Sequence, residues 1–193
     1  MRIAVFASGN GSNFQAIAEA LADQKSNGEI TLLFCDKKEA YALERANKLN
    51  IPSQAFSPKD FASKGIYEAE ILHLMEEYKI ELIVLAGYMR LVGPTLLEAY
   101  PNKIINIHPS LLPAFPGLHG IRDAYEAGVK ETGVTIHFVD KGVDTGPVIA
   151  QKKVEIAADD TLASLEEKIH QVEHNLYPAV LADIINKKER KNG

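Results

Sequence analysis

The sequence predicts an α/β protein with a doubly wound, mostly parallel sheet and helices on both faces. Short apolar segments alternate along the chain with segments of helical spacing, an order typical of βαβ units. A glycine-rich turn follows the first apolar segment, and polar residues end a later one. In open α/β sheets, ligands bind where strands end. The pattern therefore predicts both the fold class and the edge of the sheet that carries the site.

Strand character marks the short segments rich in apolar and β-branched residues. They span residues 3–7, 30–35, 82–85, 104–107, 134–139 and 148–156. The earlier strands are separated by helices and are expected to pair in parallel. The segment from 134 to 139 alternates in polarity, and a short turn separates it from the next strand. We therefore expect some antiparallel pairing at one edge of the sheet.

Helical spacing of apolar residues marks the segments between these strands. Helices are predicted over residues 13–21, 40–49, 67–78, 94–100 and 161–185. The last is a long closing helix, with an interruption expected near Pro178 because proline removes a backbone donor. Residues 187–193 are mostly charged and are expected to form a solvated tail.

Length and composition indicate one globular domain. The chain has 193 residues, of which 46% are hydrophobic and 24% charged, and no repeat or long Pro/Gly/Ser linker divides it. We expect residues 1–186 to form a single domain, followed by the tail. The first apolar segment is too short for a secretory signal, so a cytoplasmic protein without membrane contact is expected. The net charge of -5 argues against nucleic-acid binding.

The strongest chemical signal is the run Asn-Ile-His-Pro-Ser-Leu-Leu-Pro at residues 106–113, followed by Asp144 in a turn. The side-chain period of a strand puts Asn106 and His108 on one face. Pro109 biases His108 away from helix, so the imidazole ends a strand. An amide, an imidazole and a carboxylate form a proton-transfer set that requires neither metal nor protein nucleophile. The set predicts group transfer between small molecules, although a histidine satisfied in the core is the alternative for His108 alone.

The segment Ser-Gly-Asn-Gly-Ser-Asn at residues 8–13, the glycine loop, lies between the first strand and the first helix. Backbone N–H groups and the helix dipole there favour an anion, and Gly11, Ser12 and Asn13 are the candidates to hold a phosphate. Phe14 occupies the third glycine position of the dinucleotide fingerprint, which disfavours a nicotinamide site. A plain turn with a helix N-cap is the alternative without a ligand.

Two further segments carry candidate residues. His170 and His174 share one face of the closing helix, on either side of Glu173. This spacing can bind zinc, but an obvious third ligand is lacking, so a solvated face is favoured and no metal is predicted. Residues 85–92 combine apolar side chains with one cation, which suits the wall of a flat heteroaromatic ring. Arg90 fits the surface equally well.

On these motifs the chain resembles the glycinamide ribonucleotide formyltransferases of purine synthesis, from near residue 1 to about residue 180. The resemblance implies a formyltransferase-type Rossmann-like fold. It also implies that 10-formyltetrahydrofolate, the co-substrate, gives its formyl group to the amino group of N1-(5-phospho-D-ribosyl)glycinamide. The products are the N-formyl compound and tetrahydrofolate. Attack is direct, without an acyl-enzyme or a metal.

The resemblance also assigns roles to residues. Asn106 and protonated His108 meet the charge on the formyl oxygen, and Asp144 orients His108 and relays a proton. The phosphate lies on Gly11, Ser12 and Asn13, and Glu173 accepts hydrogen bonds from the ribose. The implied folate-binding residues are Lys64, Met89, Arg90, Leu91, Val92, Asn106, Asp140, Lys141, Gly142 and Val143. The family often has arginine at position 64, and Lys64 lacks its bidentate fork.

Three alternatives stay open beside this interpretation. A formyltetrahydrofolate hydrolase would use the same residues on water, with an added amino-terminal domain that we do not expect here. A methionyl-tRNA formyltransferase would add a carboxyl-terminal domain and a basic surface. A non-catalytic nucleotide-binding module would use the glycine loop and leave Asn106, His108 and Asp144 without a purpose. The roles of His137, His170 and His174 are open, and either a monomer or a homodimer is expected.

Overall fold

A seven-stranded sheet forms the centre of the protein in the computed structural model, which describes residues 1–23 and 27–192. The strand order is β3-β2-β1-β4-β5-β6-β7. The strands are β1 (Arg2–Ala7), β2 (Glu29–Cys35), β3 (Ser53–Ala55), β4 (Leu82–Leu85), β5 (Ile104–His108), β6 (Glu131–Phe138) and β7 (Val148–Glu155). The helices are α1 (Ser12–Asp23), α2 (Tyr41–Lys48), α3 (Lys64–Glu77), α4 (Pro94–Ala99), α5 (Gly120–Glu126) and α6 (Leu162–Asn192), with a 3-10 turn at Pro58–Asp60.

The sheet is parallel from β3 to β5 and antiparallel beyond. Helical crossovers connect the parallel strands, whereas β6 pairs antiparallel with β5 and with β7. The connection from β6 to β7 is short and reverses the chain, and the longer connection from β5 to β6, which contains α5, reverses it as well. The predicted mixed edge is confirmed, and so is the fold class.

Side chains of each central strand divide between two cores, one on each face of the sheet. In β1, Ile3 and Val5 pack with α1, α2 and α6, whereas Ala4 and Phe6 pack with α3 and α4. The alternation follows from the side-chain period of two, and both faces are apolar because both are covered. Helices on both faces, as predicted, bury the sheet completely at its centre.

Several short elements and several element boundaries differ from the sequence prediction. The short edge strand β3 and the seven-residue helix α5 were not predicted, because neither is long enough to show an apolar period. Helix α6 passes through Pro178 without interruption, since Tyr177 and Leu181 on either side are buried in the core and hold it in place.

Residues 187–192 are the last turns of α6, and Gly193 lies outside the described residues. The charged tail over residues 187–193 stays a prediction. The domain boundary at residue 186 stays a prediction. Within the described part of the chain, no helix is both long enough and apolar enough to cross a membrane.

Tyr177 joins α6 to the two central strands. Its buried hydroxyl donates to the Leu85 carbonyl at 2.9 Å and approaches the Ile105 carbonyl at 3.3 Å. We expect Tyr177→Phe to lower the free energy of unfolding by about 1 kcal/mol, because a buried donor is lost while the ring still packs. Urea denaturation measures the change.

Tyr125→Phe is the matched control for this prediction. The Tyr125 hydroxyl donates to the Asp160 carbonyl in an exposed setting, so its loss should leave the unfolding free energy within experimental error. Equal destabilisation by both variants would contradict a special role for the Tyr177 hydrogen bonds.

Candidate active site

A cavity of about 410 Å³ opens at the carboxyl ends of β4 and β5, a volume typical of sites for small molecules. Its walls are the loop after β4, residues 86–93, called here the wall loop, and the loop between β6 and β7. The predicted site residues that line it are Met89, Arg90, Leu91, Val92, Asn106, His108, Asp140, Lys141, Gly142, Val143 and Asp144. The structure thus brings the predicted catalytic set and nearly all predicted folate residues to one cavity.

His108 ends β5 with its side chain buried and both ring nitrogens facing acceptors. Nε2 lies 2.7 Å from the carbonyl oxygen of Phe115, and Nδ1 lies 3.4 Å from Oδ2 of Asp144. A carbonyl and a carboxylate can only accept, so the ring of His108 lies between two hydrogen-bond acceptors.

Asp144 is held as an anion beside this imidazole. Its Oδ2 accepts a hydrogen bond from the Gly117 N–H at 2.8 Å. Burial acts to raise the pKa of the Asp144 carboxyl, but the neighbouring His137, the Gly117 N–H and the charge of His108 outweigh burial and hold the pKa below its usual value. The carboxylate form is thereby stabilised next to the cavity.

His137, whose role the sequence left open, contacts Asn106 from the neighbouring strand. The two residues are paired across β5 and β6, and Asn106 Nδ2 lies 3.3 Å from His137 Nε2. His137 Nδ1 lies 2.8 Å from the Phe138 carbonyl, and Nε2 also lies 3.7 Å from Oδ1 of Asp144. His137 thus contacts both Asn106 and Asp144 beside the cavity.

The loop after β5 supplies two groups that the sequence analysis missed, the Phe115 carbonyl and the Gly117 N–H. Both are backbone groups, so no side chain in the sequence marks them. The Ser110 hydroxyl donates to the carbonyls of Ala114 and Phe115 at 2.6 and 3.1 Å and supports the loop. Its role here is structural, and the Pro- and Gly-rich composition of the segment was the only signal of a shaped loop.

Arg90 and Lys64, the two cations predicted near folate, differ in position. Arg90 lines the cavity, and its Nε donates to Oδ2 of Asp36 at 2.5 Å. The Asp36 side chain is 1% exposed, so the pair is anchored on a buried carboxylate at the end of β2. Lys64 begins α3 on the surface, after the N-cap Ser63, and is not among the lining residues. The structure therefore does not bring Lys64 to the cavity, contrary to expectation.

The glycine loop is shaped by its packing against α2. Gly11 has a φ of +77°, and a Cβ there would lie 2.6 Å from the Cβ of Ala42. Only glycine fits this backbone at this distance. Helix α1 begins at the next residue, Ser12, and the N–H groups of its first turn lack intrahelical acceptors. These groups form the predicted anion-binding position.

Asn13 and Glu173 are 160 residues apart in sequence and meet beside this helix terminus. Asn13 Nδ2 donates to Oε2 of Glu173 at 3.3 Å, and His170 Nδ1 lies 2.9 Å from the same oxygen. Asn13 Oδ1 is buried and has no hydrogen-bond partner among the described residues. The Glu173 side chain is 6% exposed. A buried carboxylate next to an unpaired amide oxygen is suited to a ligand with several hydroxyl groups.

The histidines on α6 do not form a metal centre with their neighbours. Their rings lie 6.4 Å apart in a stacked arrangement, and burial lowers the pKa of His174. In the part of the chain that the structure describes, no group of three or more His, Cys, Asp or Glu residues is arranged to hold a metal ion. His174 Nε2 is buried without a partner among the described residues, and its role stays open.

Fold and site together define a class of protein, a doubly wound α/β protein with an amide, an imidazole and a carboxylate at one cavity and a glycine loop after the neighbouring strand. The family model "Formyl transferase" matches residues 1–181. The chain belongs to this family. The predicted family and the prediction of an enzyme of formyl transfer are confirmed.

Relatives match nearly the whole chain. The chain is 51% identical over 189 residues to the phosphoribosylglycinamide formyltransferase of Bacillus subtilis, and the alignment covers 98% of this chain and 97% of the relative. The crystal structure of the Bacillus halodurans enzyme of that name has a TM-score of 0.94 at 53% identity, with 97% of each chain covered. A Geobacillus kaustophilus glycinamide ribonucleotide transformylase has a TM-score of 0.93 at 56% identity, covering 95% of this chain and 98% of the other.

The contact between His170 and Glu173 gives a titration that can be measured. The hydrogen bond with Glu173 raises the pKa of His170, burial lowers it, and the net shift is upward. We expect Glu173→Gln to move the titration midpoint of His170 to lower pH, because a neutral amide no longer favours the imidazolium. NMR titration of the histidine ring protons measures this midpoint.

Glu166→Gln is the control for this titration, since the Glu166 charge contributes less to the shift. Its effect on the His170 midpoint should be clearly smaller. Equal effects of the two substitutions would mean that the charges of nearby carboxylates, and not the hydrogen bond with Glu173, set the pKa of His170.

Proposed function

We propose that this protein transfers the formyl group of 10-formyltetrahydrofolate to the amino group of N1-(5-phospho-D-ribosyl)glycinamide in de novo purine biosynthesis. The observation that carries the proposal is the contact between His108 and Asp144 at the cavity, with Asn106 on the same strand as His108. Relatives that match almost the full length of the chain bear the name of this activity.

The formyl oxygen would lie between Asn106 and His108. When the amine nitrogen attacks the formyl carbon, a C–N bond forms and negative charge develops on this oxygen. The side-chain amide of Asn106 and the charged imidazole of His108 would stabilise that charge. For this contact, His108 turns an N–H from its present acceptor toward the ligand. No nucleophile of the protein is required.

Asp144 has two tasks in this mechanism. Its carboxylate would orient the His108 ring through the 3.4 Å contact with Nδ1. With a water molecule, it also carries the proton of the attacking amine toward the folate nitrogen, which departs when its bond to the formyl carbon breaks. The proton removed from one nitrogen is thus returned to the other, and the reaction balances.

The cavity fits the flat ring of a folate between its two walls. The wall loop contributes the apolar side chains of Met89, Leu91 and Val92, and residues 140–143 close the opposite side. Asn106 and His108 lie at the floor, where the formyl group would be. Arg90 places a cation at the same wall.

The ribonucleotide fits the adjacent glycine loop. Its phosphate would accept hydrogen bonds from the first turn of α1 at Gly11, Ser12 and Asn13. The Glu173 carboxylate would accept hydrogen bonds from the ribose hydroxyls, and the unpaired Oδ1 of Asn13 would accept another. The glycinamide end then extends toward the cavity floor.

The two small-molecule substrates are the proposed partners, with no nucleic acid, membrane or metal. Cytoplasmic location and a monomeric or homodimeric state remain predictions from the sequence. A role of Lys64 in folate binding is the weakest of the predicted contacts, given its surface position.

An activity assay tests the proposal directly. Purified protein is incubated with 10-formyltetrahydrofolate, and loss of the formyl group is followed with and without the ribonucleotide. Transfer requires both substrates, so we expect loss only when the ribonucleotide is present, with formation of its N-formyl product. Equal loss without ribonucleotide would indicate a hydrolase, and no loss in either case would indicate a binding module.

Substitution of the catalytic pair provides a second test. We expect His108→Ala and Asp144→Ala each to lower kcat by about 100-fold or more, because each removes stabilisation present chiefly in the transition state. The double variant should be little worse than either single variant, since Asp144 acts largely through His108. Steady-state kinetics with a circular dichroism check of folding measures both effects.

His73→Ala is the control, since His73 is exposed on α3, away from the cavity. Its kcat should equal that of the native protein. Losses that multiply in the double variant would show that His108 and Asp144 act independently.

A further inference from the structure

Ser8 is the first residue of the glycine loop and forms hydrogen bonds with the wall loop. Its backbone N–H donates to the Gly87 carbonyl at 3.0 Å, and its hydroxyl oxygen accepts from the Met89 N–H at 2.8 Å. The residue is 3% exposed. A buried side chain thus ties the loop that would hold the phosphate to the loop that would hold the folate ring.

A hydroxyl serves as acceptor here because the backbone hydrogen bonds between these two segments end at Ser8 and Gly87. Strands β1 and β4 pair up to Phe6 and Leu85, and the Ala86 N–H still donates to the Phe6 carbonyl. Gly87 then turns the chain with a φ of +73°. Past this turn, the Met89 N–H meets the Ser8 side chain in place of a backbone carbonyl. Alanine at position 8 would leave this donor without its acceptor.

Other anchors of the wall loop come from outside the glycine loop. Arg90 is held by Asp36 after β2, and the Gly93 N–H donates to Glu68 on α3. In the described part of the chain, the hydrogen bonds between the two loops all involve Ser8. Ser8 is therefore the point through which a change in one loop reaches the other.

We propose that Ser8 is a positioning residue that couples the two substrate sites. A ligand that orders either loop also orders the other through Ser8. The second ligand therefore binds to a loop that has already lost its conformational entropy. Each substrate then tightens the binding of the other by the same factor, as linkage requires. The inference rests on the proposed function, because it takes the ribonucleotide and the folate as the two ligands.

Titration calorimetry tests the coupling. The Kd of tetrahydrofolate and the Kd of the ribonucleotide are each measured alone and with the other ligand saturating. We expect a coupling factor of about five in the native protein. Ser8→Ala should reduce it to about one, and Ser8→Thr, which keeps the hydroxyl, should preserve it. A factor of one in the native protein, or an unchanged factor in Ser8→Ala, overturns the inference.

Failure of the proposed function gives a different result. If neither ligand binds the native protein, the proposed function is wrong and the inference falls with it. If both bind without mutual tightening, the inference alone is wrong.

Thr132→Val controls for the loss of a buried hydroxyl. Thr132 is buried on β6, and its Oγ1 has no partner among the described residues. This nearly isosteric change should leave the coupling factor at the native value. A reduction equal to that of Ser8→Ala would show a general effect of buried hydroxyls and would count against Ser8.

Hydrogen exchange gives a test in the native protein, independent of whether the variants fold. Ribonucleotide alone should slow exchange of the Met89 amide, whose acceptor Ser8 begins the glycine loop. The Gly142 N–H donates to Asp140 on the opposite wall, at 2.9 Å, and should exchange at an unchanged rate. Equal slowing of both amides, or none at Met89, overturns the proposal.

Discussion

Parallel pairing of β1 with β4, and of β4 with β5, is the constraint on which the site depends. Parallel strands end at the same edge, so the glycine loop, the wall loop and His108 leave the sheet side by side. Ligands held by the first two loops would thereby be brought toward His108. The apolar cores on both faces hold these strands in register, and the hydroxyl of Tyr177 fastens α6 to two of them.

The polar side chains of the site are held by the hydrogen-bonding groups next to them. His108 faces two groups that can only accept, and His137, the Gly117 N–H and His108 together hold the pKa of Asp144 below its usual value despite burial. His137 contacts Asn106 from the neighbouring strand. A transferred formyl oxygen would meet the side chains of Asn106 and His108 once His108 has turned an N–H toward the ligand.

Much of the site could be predicted from sequence because its side chains lie in short segments. Asn106 and His108 share a strand face, and residues 140–144 and 89–92 each form one wall. Glu173 could be assigned through the family resemblance alone, since its contact with Asn13 spans 160 residues. The Phe115 carbonyl and the Gly117 N–H could not be predicted, because no side chain in the sequence marks a backbone group.

The sequence by itself determined the order of the longer strands and helices, the edge of the sheet that carries the site and the chemical character of its residues, because these follow from local periodicity and from residue type. Tertiary structure decided which neighbours each residue has. It paired Arg90 with Asp36, left Lys64 on the surface, carried α6 through Pro178 and placed Ser8 between two loops. Such contacts join segments distant in the chain, and their energies depend on packing and burial that no local pattern records.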